Sequence, residues 1–195
     1  MQKYNYENLN YIYFEDFFNE TDSEVIFNYL VNNINWKHDT IKIFGKKHNL
    51  PRLTAYHADT GVSYSYSGIK MNPDPWTKSL LKIKKKIETF SGCEFNSVLL
   101  NRYRNGNDYH GYHSDDEPCL GNQINIASLS FGAGRDFKFK SKNLKESRPK
   151  TLFLNNGSLL LMKHPTQAFW LHSLPKRMRL SSERINLTFR FIDKL

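Results

Sequence analysis

From residue 97 onward the chain alternates. Apolar and polar side chains trade places along Ser97–Arg102, Ile124–Phe131, Asp136–Lys140, Thr151–Leu154, Ser158–Met162 and Ile185–Ile192. Successive side chains of a strand point to opposite faces, so this period of two predicts strands with one buried side. Glycine and asparagine cluster between the runs, at Asn105-Gly106-Asn107, Gly132-Ala133-Gly134 and Asn155-Asn156-Gly157. These residues suit tight turns. So many short strands can hide their apolar faces only by stacking as two sheets or by closing on themselves.

The first half has a different period. Thr21-Asp22-Ser23-Glu24 is a capping-box pattern, and Ile26, Tyr29 and Leu30 follow at helical spacing. A second helix is predicted to start at Asp74-Pro75, with Asp as N-cap and Pro at the first helical position. Trp76, Leu80, Ile83 and Ile87 form its apolar stripe, and Lys78, Lys82, Lys84, Lys85 and Lys86 read as its solvated face. The class is therefore α+β: a double-sheet jelly roll with N-terminal helices packed on one sheet. No repeat or linker divides residues 1–195, which suffice for one core. Residues 141–150 read as an exposed basic loop.

Lys and Arg number 28 against 19 Asp and Glu, a formal charge of +9. A basic surface favours polyanions through counterion release, and an aromatic content of 14% leaves rings to stack on bases. Two cysteines, Cys93 and Cys119, make neither a disulfide framework nor a zinc knuckle. The polar N-terminus lacks the apolar stretch of a signal peptide, and no run is long enough to cross a membrane. The expectation is a soluble intracellular monomer without a membrane partner, nuclear if the source is a eukaryote and otherwise cytoplasmic.

Chemistry concentrates at His113-Ser114-Asp115 and at His172. Two imidazoles and one carboxylate, with positions left for other ligands, suit a non-haem Fe(II) that also binds a cosubstrate and oxygen. A second His-x-Asp pair, His57-Ala58-Asp59, runs into Thr60-Gly61 and reads as a structural turn. In the last strand Arg184, Asn186, Thr188 and Arg190 share one face, while Ile185, Leu187, Phe189 and Phe191 share the other. If the apolar face packs on helices, both arginines enter the barrel. Buried guanidiniums require anions, and a dicarboxylate cosubstrate supplies two. The residues alone also allow two solvent-facing arginines on an edge strand.

Asn101-Arg102-Tyr103, His113-Ser114-Asp115-Asp116-Glu117, Ser128-Leu129-Ser130-Phe131-Gly132, His164-Pro165-Thr166, His172-Ser173-Leu174-Pro175 and Arg184–Arg190 together resemble the AlkB family of Fe(II)- and 2-oxoglutarate-dependent dioxygenases. The resemblance runs from about residue 41 to the end. Ile43-Phe44-Gly45-Lys46, Pro51-Arg52 and Tyr64-Ser65-Tyr66-Ser67-Gly68 bring it closest to the eukaryotic branch that repairs duplex DNA. It implies a double-stranded β-helix of the cupin kind, with a nucleotide-recognition lid over about 36–70 and a metal and cosubstrate core over about 97–195. It implies that His113, Asp115 and His172 hold Fe(II). Arg184 and Arg190 would bind the carboxylates of 2-oxoglutarate, in an order left open, helped by Asn101, Tyr103 and Thr188. The implied reaction is oxidative demethylation of bases such as N1-methyladenine and N3-methylcytosine, releasing formaldehyde, succinate and CO2.

A base inside a duplex must be flipped out to reach such a metal. Tyr64 and Tyr66 match the family's base-stacking lid, with Ser67 beside them and His113 as the opposite wall. Asp116 and Glu117 are candidates for reading the base edge, and Arg52 for contacting the substrate. Ile43-Phe44-Gly45, between Lys42 and Lys46-Lys47-His48, suits a wedge that fills the gap left by the flipped base. Lys138, Lys140, Lys142 and Lys176-Arg177-Met178-Arg179 are candidates for gripping the backbone. Duplex DNA is thus the favoured partner, with single-stranded DNA and RNA as alternatives. A non-catalytic jelly-roll module is the competing class, but a structural metal has no use for a dicarboxylate pocket.

Overall fold

The computed structural model describes residues 1–43, 46–62, 64–66, 69–143 and 149–193, with the backbone alone for 42, 43, 46, 64–66 and 69–71. The chain opens with strands β1 (Gln2–Tyr6) and β2 (Leu9–Phe14) and helix α1 (Glu20–Asn33). Next come β3 (Thr40–Ile43), β4 (Lys46–Asn49), β5 (Leu53–Ala58), β6 (Tyr64–Tyr66) and β7 (Ile69–Met71). Helix α2 (Lys78–Ser91) leads into β8 (Ser97–Tyr103), β9 (His110–His113), β10 (Ile126–Gly132), β11 (Arg135–Ser141) and β12 (Lys150–Leu154). The last elements are β13 (Ser158–Met162), the short helix α3 (Thr166–Phe169), β14 (Trp170–Leu174) and β15 (Arg184–Arg190).

Two antiparallel sheets form the jelly roll. The large one has the order β1-β2-β13-β10-β15-β8-β5, and the small one β12-β11-β14-β9. Ribbons β3-β4 and β6-β7 form separate two-stranded sheets over 40–71, overlapping the 36–70 span, whose β5 is an edge strand of the large sheet. Among the described residues, no helix is long and apolar enough to cross a membrane.

Period-two alternation sorts the side chains into two layers. Ile185, Leu187 and Phe189 of β15, Leu129 and Phe131 of β10, and Val98 and Leu100 of β8 join Leu30 of α1 and Leu80, Ile83 and Ile87 of α2 in one buried cluster. A second cluster fills the space between the sheets, with Tyr13, Ile126, Leu160 and Met162 meeting Phe137, Phe139, Trp170 and Leu174. The helices therefore cover the outer face of the large sheet, and the inner face is left for the site.

Local chemistry moved several boundaries. Helix α1 is capped by Asn19, which accepts from the Asp22 N–H (2.8 Å) and donates to the Asp22 carboxylate (3.1 Å). The box therefore closes before Thr21, where the sequence suggested its start. Helix α2 starts later than Asp74-Pro75, capped by Thr77, whose hydroxyl accepts from Leu80 N–H. Asp74 N–H is bound to the Tyr56 carbonyl, and the Pro75 carbonyl lies 2.7 Å from His57 Nδ1, so this segment is tied to β5 and cannot enter a helix. Asp59 accepts from Trp76 Nε1 (2.7 Å), so the His57-Ala58-Asp59 pair pins the approach to α2, a structural role. Strand β15 ends at Arg190, and Phe191 is exposed, not aligned with the apolar face. The β1-β2 hairpin was not foreseen: its turn places Glu7 and Asn8 at positive φ, without the Asn-Gly signal.

Candidate active site

Strand β15 lies at the heart of the large sheet, paired with β8 and β10. Register sets Arg184 opposite Tyr103, Asn186 opposite Asn101 and Thr188 opposite Leu99, so these side chains share the inner face. Arg184, Asn186, Thr188 and Arg190 line a single cavity together with Asn101, Tyr103 and Ser128. Both arginines are nearly inaccessible, at 2% and 3% exposure, which excludes the solvent-facing arrangement. Their neighbours hold them in place. Arg184 Nη2 donates to Ser130 Oγ (2.9 Å), and its guanidinium lies 5.4 Å from the Tyr103 ring centroid. Thr188 donates to Asn186 Oδ1, and Asn186 donates to Ser128 Oγ and the Leu129 carbonyl.

The small sheet supplies the other wall. His172 on β14 lies opposite His113 on β9, and Leu174 opposite His110. Three residues of β14, 172–174, thus face four of β9, 110–113, a β-bulge that turns His110 and His113 to the same side although they are three apart. Their rings stack at 3.7 Å between centroids. One ligand atom from each of His113, Asp115 and His172 lies within 4.8 Å of the others. Phe137 lies flat against His172, with centroids 5.3 Å apart. His113 Nδ1 is 2.9 Å from the Gly111 carbonyl, which can only accept. Nδ1 therefore carries the hydrogen and Nε2 the electron pair that a metal needs. His172 Nδ1 and Asp115 Oδ2 are buried with no hydrogen-bond partner among the described residues. Buried electron pairs of this kind beside a third donor fit a cation.

Electrostatics keeps the three donors deprotonated. Burial pushes the His172 imidazole down to about 3, with neighbouring His113 acting the same way. His113 is lowered by burial as well, against the pull of Asp115. Burial opposes ionisation of Asp115, but Arg190 first, then His172 and His113, hold its carboxyl down to about 2. Arg190 Nη2 stands 2.9 Å from Asp115 Oδ1. Burial lowers Arg184 to about 10, so it stays charged at neutral pH, ready for an anion.

Other expected residues fall elsewhere. Arg52 is buried at 2% exposure, where Nε donates to Asn101 Oδ1 (2.7 Å) and Nη2 meets His110 Nε2 (3.2 Å). It braces the cavity wall from behind. Asp116 is exposed and bound to Lys142 and Ser114, and Glu117 opens the turn at Pro118–Leu120; neither lines the cavity. Tyr64 and Tyr66 sit on β6, paired with Met71 and Ile69 of β7, but their side chains lie outside the described ones, as do Phe44 and Ser67 altogether. The alternation of β15 and β10 could have pointed to Asn186 and Ser128. Nothing in the sequence signals His110, because the bulge reverses its face, or Gln167, which accepts from Asp115 N–H (3.0 Å) across the fold.

Comparison with known proteins agrees with this geometry. The family described as the 2OG-Fe(II) oxygenase superfamily matches residues 10–190. DNA oxidative demethylase ALKBH2 of Bos taurus is 44% identical over 158 residues, covering 78% of this chain and 57% of that protein. Alpha-ketoglutarate-dependent dioxygenase alkB homolog 3 of Bos taurus is 40% identical over 179 residues, 88% of this chain and 62% of that one. The chain thus spans about three-fifths of the length of these relatives. The solved structure of OsALKBH1 superposes with a TM-score of 0.66 at 15% identity, covering 95% of this chain and all of that one, a likeness of fold. The chain belongs to the 2OG-Fe(II) oxygenase superfamily and, within it, to the AlkB family.

Proposed function

We propose that this chain removes N-methyl groups from DNA bases such as N1-methyladenine and N3-methylcytosine, consuming 2-oxoglutarate and O2 and releasing formaldehyde, succinate and CO2. The observation that carries this reading is the convergence of His113, Asp115 and His172 with Arg184 and Arg190 on one cavity. The identity to DNA oxidative demethylases supports the substrate class. His113, Asp115 and His172 would hold Fe(II), which supplies the oxidising chemistry when 2-oxoglutarate and O2 are bound. Arg184 and Arg190 would neutralise the two carboxylates of the cosubstrate, with Asn101, Tyr103 and Thr188 donating or accepting beside them. Arg52 would act at one remove, by fixing the Asn101 amide. Phe137, Leu99 and Leu174 line the same cavity and would limit the access of bulk water to the reacting centre.

The duplex preference rests on the segments outside the inner cavity. The β6-β7 ribbon, with Tyr64, Tyr66 and Ser67, would cover a flipped base against His113, with Asp116 and Glu117 near its edge. Phe44 would fill the vacated stack. The same chemistry on single-stranded DNA or RNA is the second reading, which the basic composition equally permits. The chain is taken as a soluble intracellular monomer. The test is to incubate iron-loaded protein with single- and double-stranded oligonucleotides carrying either lesion and to weigh the products. Repair should require 2-oxoglutarate and vanish in Asp115→Ala with the fold retained; continued formaldehyde release by that variant would refute the metal assignment. Phe44→Ala should slow repair of duplex more than of single strands, and equal loss would remove the case for a wedge.

A further inference from the structure

Residues 114–117, which carry Asp115 out of β9, have no regular secondary structure. Something outside the segment must hold it, because a ligand displaced by an ångström no longer meets its metal. Lys142, the first residue past β11, is where the holding contacts meet. Its backbone N–H donates to the Phe169 carbonyl (2.9 Å). Its ammonium, with the side chain 31% exposed, donates to Asp116 Oδ2 (2.8 Å) and to the Gln167 carbonyl (2.8 Å). Both partners lead to Asp115. Asp116 follows it in the chain, and its same oxygen accepts from Ser114 Oγ (2.9 Å). Gln167 is 2% exposed, and its Oε1 accepts from the Asp115 N–H (3.0 Å), which would otherwise be a buried donor without a partner. Gln167 Nε2 rests against Met162 Sδ (3.6 Å), and Met162 lines the inner cavity.

Sequence reasoning gave Lys142 a phosphate and Asp116 a base edge. The structure binds the two to each other. An ammonium has three donors, and two of these are engaged with acceptors of the fold itself. Lys138 and Lys140, four and two residues earlier, remain candidates for phosphate.

We propose that Lys142 is a positioning residue for the metal-carrying turn: acting through Asp116 and Gln167, it sets where the Asp115 carboxylate stands, and it does not grip nucleic-acid phosphate. The inference rests on the reading of Asp115 as a metal ligand. Hydrogen-bond partners behind a ligand typically change metal affinity by roughly 10–100-fold.

The experiment measures Mn(II) binding by calorimetry for the full chain and for Lys142→Met, Lys142→Arg, Asp116→Asn and Asp115→Ala. Binding of an unmodified duplex oligonucleotide is followed in parallel as a function of salt. Lys142→Met should weaken Mn(II) by roughly tenfold, the low end of that range. Lys142→Arg should restore most of the loss, and Asp116→Asn should weaken Mn(II) in the same direction. The salt dependence of duplex binding should be unchanged, whereas loss of a phosphate contact would reduce its slope by about one. Unchanged Mn(II) affinity in Lys142→Met, or a reduced slope, overturns the proposal. Should Lys142→Met fail to fold, Asp116→Asn decides it: Mn(II) affinity equal to that of the unsubstituted chain overturns the clasp. A chain that binds Mn(II) no better than Asp115→Ala overturns the metal reading itself, a different result from either.

Discussion

Replacing Arg190 by methionine should destabilise the metal-free protein far more than the metal-loaded one. The Arg190 and Asp115 side chains are 4% and 1% exposed and 2.9 Å apart, so solvent screens their attraction little. Methionine keeps much of the volume and removes the charge, leaving a buried carboxylate without its strongest counter-charge. Breaking one side of a buried pair costs about 3–5 kcal/mol. For a domain of this size each kcal/mol moves Tm by about 2–4 °C, so a fall of roughly 10 °C is expected in EDTA. Mn(II) at Asp115 supplies the missing positive charge, and the fall at saturating metal should be less than half as large. Thermal unfolding followed by circular dichroism, with each protein measured in EDTA and in Mn(II), reads both numbers. Equal falls in the two conditions would refute the reasoning, because Arg190 would then matter for packing and not for the charge of a metal ligand.

Phe189→Ala should cost about 3–5 kcal/mol in urea unfolding, because the ring is fully buried between Trp76 and Phe95 on the helix side of β15. A loss below about 1 kcal/mol would mean that the layer can collapse into the gap. Gly106→Ala should unsettle the 176–180 segment, since its Cβ would meet the Arg177 carbonyl oxygen at 1.8 Å; hydrogen exchange there should rise, and an unchanged pattern would contradict the close approach. Burial works against ionisation of Asp108, but hydrogen bonds from Arg104 hold its carboxyl below the ordinary range. A native pKa below the unfolded one gives stability that is present above about pH 4 and lost as the pH falls through the native value. Asp108→Asn should therefore lose less Tm than the unsubstituted chain between about pH 5 and pH 3, and parallel curves would count against this linkage.

The inner wall of the site was legible because it follows a rule of period two. Once Ile185, Leu187 and Phe189 are assigned to the helix side, Arg184, Asn186, Thr188 and Arg190 have nowhere to point but inward. His113 and Asp115 were legible as ligand types, but their meeting with His172 depends on a strand pairing that spacing cannot specify. Arg52 was expected to contact the substrate, because charge alone does not show that Asn101 and His110 await it inside. His110 was hidden by one extra residue in β9, and the start of α2 by contacts that Asp74 and Pro75 make with β5. In each case a long-range hydrogen bond or register shift overrode a local preference.

The place of β15 has a consequence for how the molecule is made. The large sheet has β1, β2, β13 and β10 on one side of that strand and β8 and β5 on the other. Until residues 184–190 dock, β10 and β8 each present an open edge of unpaired N–H and carbonyl groups, and strands separated so widely in sequence pair slowly. A nascent chain interrupted before residue 184 would lack both inward arginines and the strand that joins the two parts of the sheet. The cosubstrate pocket and the sheet's continuity thus arrive in the same step, so incomplete chains are exposed to edge-to-edge aggregation before they can bind 2-oxoglutarate.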